Sequence, residues 1–220
     1  MIINSLIALY ASLMYVIDTL IVHYLCNMSD PHANLLALLH EMVGVGSSEM
    51  PFIRTSFEPE SCSKGQLLVA AGKIARYMYF INEGYLRLYH LQNGEEVTSH
   101  INCPLGFMTS FNSFITQTPS SESFECITDC NLLRISKNDF DDLLRSNQKW
   151  AEVGRMVNEQ VIVYNDQRTK DIVSLTAEQR YLNIINLRPD LLQNVPLQYI
   201  ASFIGIKPES LSRIRKKVIS

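Results

Sequence analysis

The chain has 220 residues and a formal net charge of −3, with 47% hydrophobic and 19% charged residues. This is an ordinary globular composition, and the length allows one large domain or two small ones. The overall charge does not call for nucleic acid, so a case for that partner has to rest on local charge.

The first 25 residues are mostly apolar and long enough to suggest a membrane span, although Asp18 and His23 interrupt them. No Lys or Arg precedes Arg54, so the basic cues of a signal peptide or an oriented span are missing. Met28 opens MSDPHANLLALLHEM, which is typical of a first amphipathic helix. Three interpretations of the extension 1–27 stay open: an over-extended gene start, which we favour, a membrane tether or docking helix, and a cleaved signal.

The chain has five cysteines, an odd number, and no C-x-x-C pair, which argues against a disulfide framework. A reducing, cytoplasmic setting fits better. Cys126 and Cys130 lie four residues apart, and we expect them to be small buried thiols rather than a metal or redox site.

Residues 56–136 show short aromatic and β-branched runs separated by turn signals. Lys64-Gly65 and Glu83-Gly84 mark two of these turns. Asn93-Gly94 predicts a type I′ hairpin, because both residues tolerate a positive φ. Regularly spaced short strands of this kind favour an all-β roll or barrel over a parallel sheet.

Beyond the strands, the hydrophobic period changes to that of helices. Ser136, with Asp139 three residues later, predicts the start of one helix. Thr176 and Gln179 form a capping-box pattern that predicts another helix, AEQRYLNIINL, ended by Pro189.

Between these two helices, residues 147–173 predict one long helix. Its apolar residues recur at steps of three and four and so form one stripe. We expect the stripe to be a dimer seam, with packing against the chain's own β domain as the alternative. The stripe consists of Trp150, Val153, Val157, Val161 and Tyr164.

The last 24 residues, LQYIASFIGIKPESLSRIRKKVIS, fit a helix-turn-helix template. Gly205 stands where the tight turn needs a left-handed backbone, and Pro208 is tolerated at the first position of the second helix. A plain helical hairpin is the alternative. The template positions are Ile200, Ala201, Ile204, Gly205, Ile206, Leu211 and Ile214.

Residues 205–220 carry five basic residues against one acid, Glu209, which gives +4 and leaves −7 for the rest of the chain. At 100° per residue, the face opposite the apolar side of the last helix collects four polar residues that could read base edges: Glu209, Ser212, Arg213 and Lys216. Three more basic residues flank this face and could neutralise phosphates: Lys207, Arg215 and Lys217. A solvated charged face is the alternative.

A β roll, a long helix and a C-terminal helix-turn-helix, in that order, resemble the catabolite-activator/Fnr (Crp/Fnr) family of bacterial transcription regulators over about residues 34–219. The stretches that carry the resemblance are YMYFINEGYLRLYHLQNGEEVTSHI and IASFIGIKPESLSRIRKKV. The resemblance implies an α+β fold in three parts. These are a cyclic-nucleotide-binding-like jelly roll over 28–146, a dimerisation helix over 147–173, and a helix-turn-helix DNA-binding domain with a reduced wing over 174–220.

The resemblance also implies partners: a palindromic site in double-stranded DNA, a second copy of the chain, RNA polymerase, and an unknown small-molecule effector. Glu209 and Arg213 fall where the family's base-reading Glu and Arg lie, and Lys216 falls at a matching basic position. Pro208 replaces a further Arg of some members, and the β-wing looks shortened to RPDLLQNVP. The cysteine group that binds an iron–sulfur cluster in Fnr-like members is absent, so we expect no cofactor.

The pocket departs from the family pattern at both ligand-binding elements. After Gly106, Phe107 replaces the Glu that binds the ribose, and Ser120, Ser121 and Glu122 occupy the segment that supplies an Arg to the cyclic phosphate. We therefore expect no response to cyclic AMP or cyclic GMP. We also expect an apolar lining that either fills the roll or holds another small molecule: Phe107, Met108, Phe111 and Phe114.

Motifs of common enzyme classes are absent, and no catalytic or metal-binding residue is predicted. The leading hypothesis is a dimeric DNA-binding regulator. The alternative is an effector-sensing module whose C-terminal helices bind a protein partner instead of DNA.

Overall fold

The computed structural model describes residues 30–146 and 148–219, so the alternatives for the extension 1–27 lie outside the described residues. In those two ranges, no helix is both long and apolar enough to cross a bilayer.

An antiparallel β roll forms the first part of the molecule. Two short helices, α1 (Ala33–Val43) and α2 (Met50–Ser56), precede it, and α3 (Phe111–Thr116) lies between its sixth and seventh strands. Its strands are β1 (Glu58–Cys62), β2 (Leu67–Val69), β3 (Tyr77–Glu83), β4 (Leu86–Gln92), β5 (Glu95–Asn102), β6 (Phe107–Met108), β7 (Ser123–Cys126) and β8 (Cys130–Ser136).

The strands form two four-stranded sheets, ordered β1-β8-β3-β6 and β2-β7-β4-β5. Aromatic residues from both sheets and from α3 fill the space between them, among them Phe80, Phe124 and Phe114. Together with the helices that follow, this confirms the expected α+β class with a jelly-roll-like core.

The β4–β5 hairpin has the predicted turn, because Asn93 and Gly94 have φ values of 54° and 82°. Further along the hairpin the register shifts: Leu88 is opposite His100, whereas Tyr89 is opposite Thr98. Ser99 is therefore the extra residue of a β-bulge in β5.

Three cysteines pack in the roll as buried free thiols: Cys62, Cys126 and Cys130. Burial raises the pKa of Cys62 to about 11. For Cys126 and Cys130, their burial agrees with the packing role expected from the sequence.

Six helices follow the roll: α4 (Lys137–Ser146), α5 (Gln148–Ser174), α6 (Ala177–Leu187), α7 (Pro189–Asn194), α8 (Leu197–Phe203) and α9 (Pro208–Ile219). The hydroxyl oxygen of Ser136 accepts the N–H of Asp139 at 3.1 Å before α4. Thr176 and Gln179 form the predicted capping box before α6.

The segment RPDLLQNVP, expected to be a shortened β-wing, is helical instead. It forms α7, which has Pro189 as its first residue. Proline fits this position because its fixed φ suits a helix and its missing N–H would have no intrahelical partner.

The apolar stripe of α5 faces the chain's own roll. Trp150 is only 1% exposed, and Val153 is also buried in the roll core, with Val157 packed against the same core. Gly154 allows α5 to approach α4 closely, since a Cβ there would lie 2.7 Å from Leu144 Cδ2. The prediction that Trp150 and Val153 lie in a dimer seam is corrected. Both side chains are buried in the roll core and have no surface left for a partner.

The helices from α6 to α9 build a second apolar core, which also contains Ile101 of β5. Its other buried members are Ile127, Tyr181, Ile184, Leu191, Val195, Ile200, Ala201, Ile204 and Leu211. The second core thus includes side chains from the roll, and its helices pack against strand β5.

Candidate effector cavity and candidate nucleic-acid interface

The two C-terminal helices α8 and α9 meet at a tight turn. Gly205 has a φ of 75°, a left-handed conformation that favours glycine. The N–H of Gly205 donates to the carbonyl of Ser202, and that of Ile206 to the carbonyl of Ala201, both at 3.0 Å. The template positions around this turn are buried (Ile200, Ala201, Ile204, Leu211) or packed against the buried ones (Ile206, Ile214).

The opposite face of α9 is open to solvent. The four residues assigned to base reading are all exposed on it: Glu209, Ser212, Arg213 and Lys216. Arg213 and Lys216 form no ion pair with any residue that the structure describes. Their charges are therefore available to an external partner.

The three flanking basic residues are placed differently. Lys207 pairs with Glu95 of β5, and Lys217 pairs with Glu178 of α6 at 2.7 Å. Arg215 is half-buried. Exposed ion pairs contribute little to stability, so a phosphate could replace the carboxylate at either lysine.

Side chains from α5, α6 and α8 fix this helical pair to the rest of the chain. The hydroxyl oxygen of Ser202 accepts the N–H of Thr98 at 2.8 Å, and the hydroxyl lies 3.1 Å from the carbonyl of Glu96, to which it donates. Arg168 donates to the carbonyl of Phe203, and Arg180 to that of Ile204, both at 2.9 Å.

Arg87 on β4 is an almost fully buried cation, 2% exposed, close to α8. Its guanidinium donates to Glu125 at 2.7 Å and to Glu96 at 2.6 Å. Burial opposes the charge, yet these two carboxylates hold the pKa of Arg87 above its usual value. Sequence reasoning gave it no role, although a lone Arg inside the apolar run YLRLYHL was a usable signal.

A cavity of about 540 Å³ lies between the roll, α1 and α5. Three residues expected in an apolar lining contribute to its wall, namely Phe107, Met108 and Phe111. Phe114 is instead fully buried in the core, where its ring lies 5.6 Å from that of Phe140. Val161 and Tyr164 of α5 also line the cavity.

Few charged side chains contribute to this wall. Glu122 lines it and accepts a short hydrogen bond from the Ser99 hydroxyl. Arg188, between α6 and α7, also lines it and donates to Asp190 at 3.2 and 3.3 Å. Ser120 is buried, with its hydroxyl oxygen 2.7 Å from that of Ser110.

His100 of β5 adds a polar group to the same wall. Its Nε2 lies 3.0 Å from Asn165 Oδ1, and its ring lies 5.6 Å from that of Tyr164. Burial lowers the pKa of His100, so its neutral form is favoured near neutral pH. Sequence reasoning missed both His100 and Arg188. The two residues are far apart in sequence and come to line the same cavity only in the folded chain.

Residues 59–147 match the family model of the cyclic nucleotide-binding domain. The roll is therefore similar to the domain that this family model describes. The match covers the roll and α4 but not the helices α5–α9.

Several solved structures are similar in fold to this chain over most of its length. The c-di-GMP-responsive global regulator CLP of Xanthomonas campestris has a TM-score of 0.60 at 15% identity, covering 79% of this chain and 91% of CLP. FixK2 of Bradyrhizobium japonicum has a TM-score of 0.61 at 15% identity, and the match covers 74% of this chain and 84% of FixK2. A proposed crp/fnr-family transcriptional regulator from Eubacterium rectale has a TM-score of 0.62 at 13% identity, and the match covers 79% of this chain and 83% of that protein. Comparison with curated protein sequences gives no significant match.

Proposed function

We propose that the chain is a DNA-binding transcription regulator of the Crp/Fnr type, in which α8 and α9 form the helix-turn-helix. The observation that carries this proposal is the two-sided character of α9. Leu211 is buried against α8, whereas Arg213 and Lys216 extend from the exposed face and form no ion pair within residues 30–146 and 148–219. Arg is the usual partner of guanine in the major groove.

The fold supports this proposal without deciding it. CLP, which shares the fold, is described as linking cell–cell signalling to virulence gene expression. The local charge of +4 at residues 205–220, in a chain of net charge −3, concentrates cationic surface where DNA would bind.

We further propose a homodimer along α5, formed by a face different from the predicted stripe. Ile162, Val163 and Val173 are exposed apolar residues on this helix, at 67%, 67% and 80%. Exposed apolar side chains on a long helix favour a partner helix. A two-fold dimer would place its two α9 helices at inverted half-sites about one helical turn apart.

The experiment that tests the proposal is selection of bound duplexes from a random library with purified protein. We expect enrichment of a palindromic site, and affinity for that site that falls steeply with salt. No enrichment of any duplex, together with salt-insensitive binding, would favour the alternative in which the C-terminal helices bind a protein.

A further inference from the structure

The wall of the roll cavity is mainly hydrocarbon and thioether. Three of its members are methionines, whose flexible side chains adapt to differently shaped ligands. The apolar members of the wall are Leu38, Met42, Met78, Leu88, Ile101, Leu105, Phe107, Met108, Phe111, Val157 and Val161.

The charges in this wall are already engaged within the chain. Glu122 accepts from Ser99, and Arg188 donates to Asp190. Among the described residues that line the cavity, Arg188 is the only lysine or arginine. A buried anion needs a paired cation with hydrogen bonds. Arg188 already donates from Nε and Nη2 to Asp190, so an anion at its remaining donors would share this cation with the carboxylate while facing Glu122.

We infer that this cavity binds an uncharged, predominantly apolar small molecule. The inference rests on the proposed function, since it specifies the effector of that regulator. The volume of about 540 Å³ suits a ligand of two or three rings. Such a ligand contacts α1 through Leu38, the roll through Phe107 and α5 through Val161. All three elements contribute to the wall, so one ligand can contact all of them.

A pair of fluorescent probes tests the charge requirement directly. N-phenyl-1-naphthylamine is neutral, and 8-anilinonaphthalene-1-sulfonate has the same aromatic body with an added sulfonate. We expect full-length protein to bind the neutral probe at one site per chain, at least about tenfold more tightly than the sulfonate, because the sulfonate would be desolvated without a free cation. Equal or tighter binding of the sulfonate would overturn the inference.

Three variants locate the probe. Val161→Trp fills the cavity from α5, and Leu105→Trp fills it from the rim, so that each should weaken neutral-probe binding at least about tenfold. Asn158→Trp adds the same side chain at an exposed position of α5 outside the cavity and should leave binding unchanged. If the two filling variants fold, as judged by their melting transitions, and bind as well as Asn158→Trp, the probe is elsewhere and the inference fails.

Arg188→Gln separates an apolar site from an anion site. We expect neutral-probe affinity to stay within about twofold, because its binding does not use the guanidinium. A loss of about tenfold or more would contradict the inference by showing that Arg188 anchors the ligand.

Measuring duplex binding with the same preparations distinguishes a failure of this inference from a failure of the proposed function. Loss of neutral-probe preference in a protein that still enriches a palindromic duplex overturns the ligand class alone. Site-specific probe binding in a protein that enriches no duplex overturns the regulator proposal while supporting the ligand class.

Discussion

The guanidinium carbon of Arg87 lies 3.6 Å from the centroid of the Tyr199 ring, which joins β4 of the roll to α8. Tyr89, on the same strand as Arg87, contacts the guanidinium at 4.1 Å. A desolvated contact of this type contributes about 2 kcal/mol, so Tyr199 is a substantial part of the attachment between α8 and the roll.

Replacement of Tyr199 by Leu should loosen α8 while leaving the roll intact. We expect amide hydrogen exchange in Leu197–Phe203 to accelerate about tenfold, in line with the loss of 1–2 kcal/mol of local stability. Tyr89→Leu is the matched control, because it removes a ring contact to the same cation within the roll. Equal acceleration in the two variants would show that Tyr199 has no special role in the attachment.

Arg213→Ala should cost about 1–3 kcal/mol in specific DNA binding and relax the preference at one base pair. Lys217→Ala is the comparison, since it should weaken binding evenly across sequences after its exposed pair with Glu178 is released. Fluorescence anisotropy on the selected site and its single-base variants measures both effects. Unchanged affinity and preference in Arg213→Ala would mean that another face of α9 contacts the bases.

The double replacement of Ile162 and Val163 by Glu should produce monomers and abolish tight binding to the palindrome. Charged side chains cannot be buried along a helix seam without a partner. Leu91→Glu is the control, because Leu91 is also an exposed apolar residue but lies at the end of β4. Sedimentation velocity at micromolar concentration distinguishes the outcomes, and a wild-type monomer would reject the seam.

Asp30 and Arg54 form a bidentate ion pair at 2.6 and 2.7 Å, which lowers the pKa of Asp30 to about 2. A lowered carboxyl pKa stabilises the fold above the unfolded value of 3.8, and the contribution is lost as the pH falls through about 2. Asp30→Asn should therefore cost about 1–2 kcal/mol at pH 7, with the difference narrowing below pH 4. Urea unfolding at pH 7 and pH 3 measures this. A difference independent of pH would show that the pair does not act through charge.

Cyclic AMP should not bind usefully to the full-length protein. Its phosphate would meet Glu122 and an Arg188 already paired with Asp190, and the nucleotide would lack the charge-assisted contacts that such a group requires. Isothermal titration should give no saturable heat at micromolar concentrations. A dissociation constant in the low micromolar range or tighter would refute this prediction.

Much of the local structure could be predicted because it depends on residues close in sequence. The Asn93-Gly94 turn needs positive φ values, the Thr176 capping box is four residues long, and the spacing around Gly205 determines which side chains of α8 and α9 meet. Each of these signals is contained within a short segment, and the structure has each of them as expected.

The long-range arrangement could not be predicted in the same way. The period of α5 shows that Trp150 and Val161 share a face, but periodicity does not show what covers that face. The roll covers it at Trp150, and the cavity lies beside it at Val161. Likewise, Arg188 is distant in sequence from the roll, so no pattern within the strands predicted a cation at the cavity wall.

The bulge at Ser99 divides β5 into two segments with different contacts. On one side of it, His100 and Ile101 line the cavity, and on the other, Thr98 and the Glu96 carbonyl bond to Ser202 of α8. Two residues of extended chain span about 7 Å, so the contacts of the cavity wall and those of α8 are that close along one backbone. Ser99 has no partner residue opposite it on β4, but its hydroxyl lies 3.2 Å from the Leu88 carbonyl of that strand and donates to Glu122 in the cavity wall. The cavity wall and α8 are thus connected along one strand as well as through α5, whose Arg168 donates to the Phe203 carbonyl.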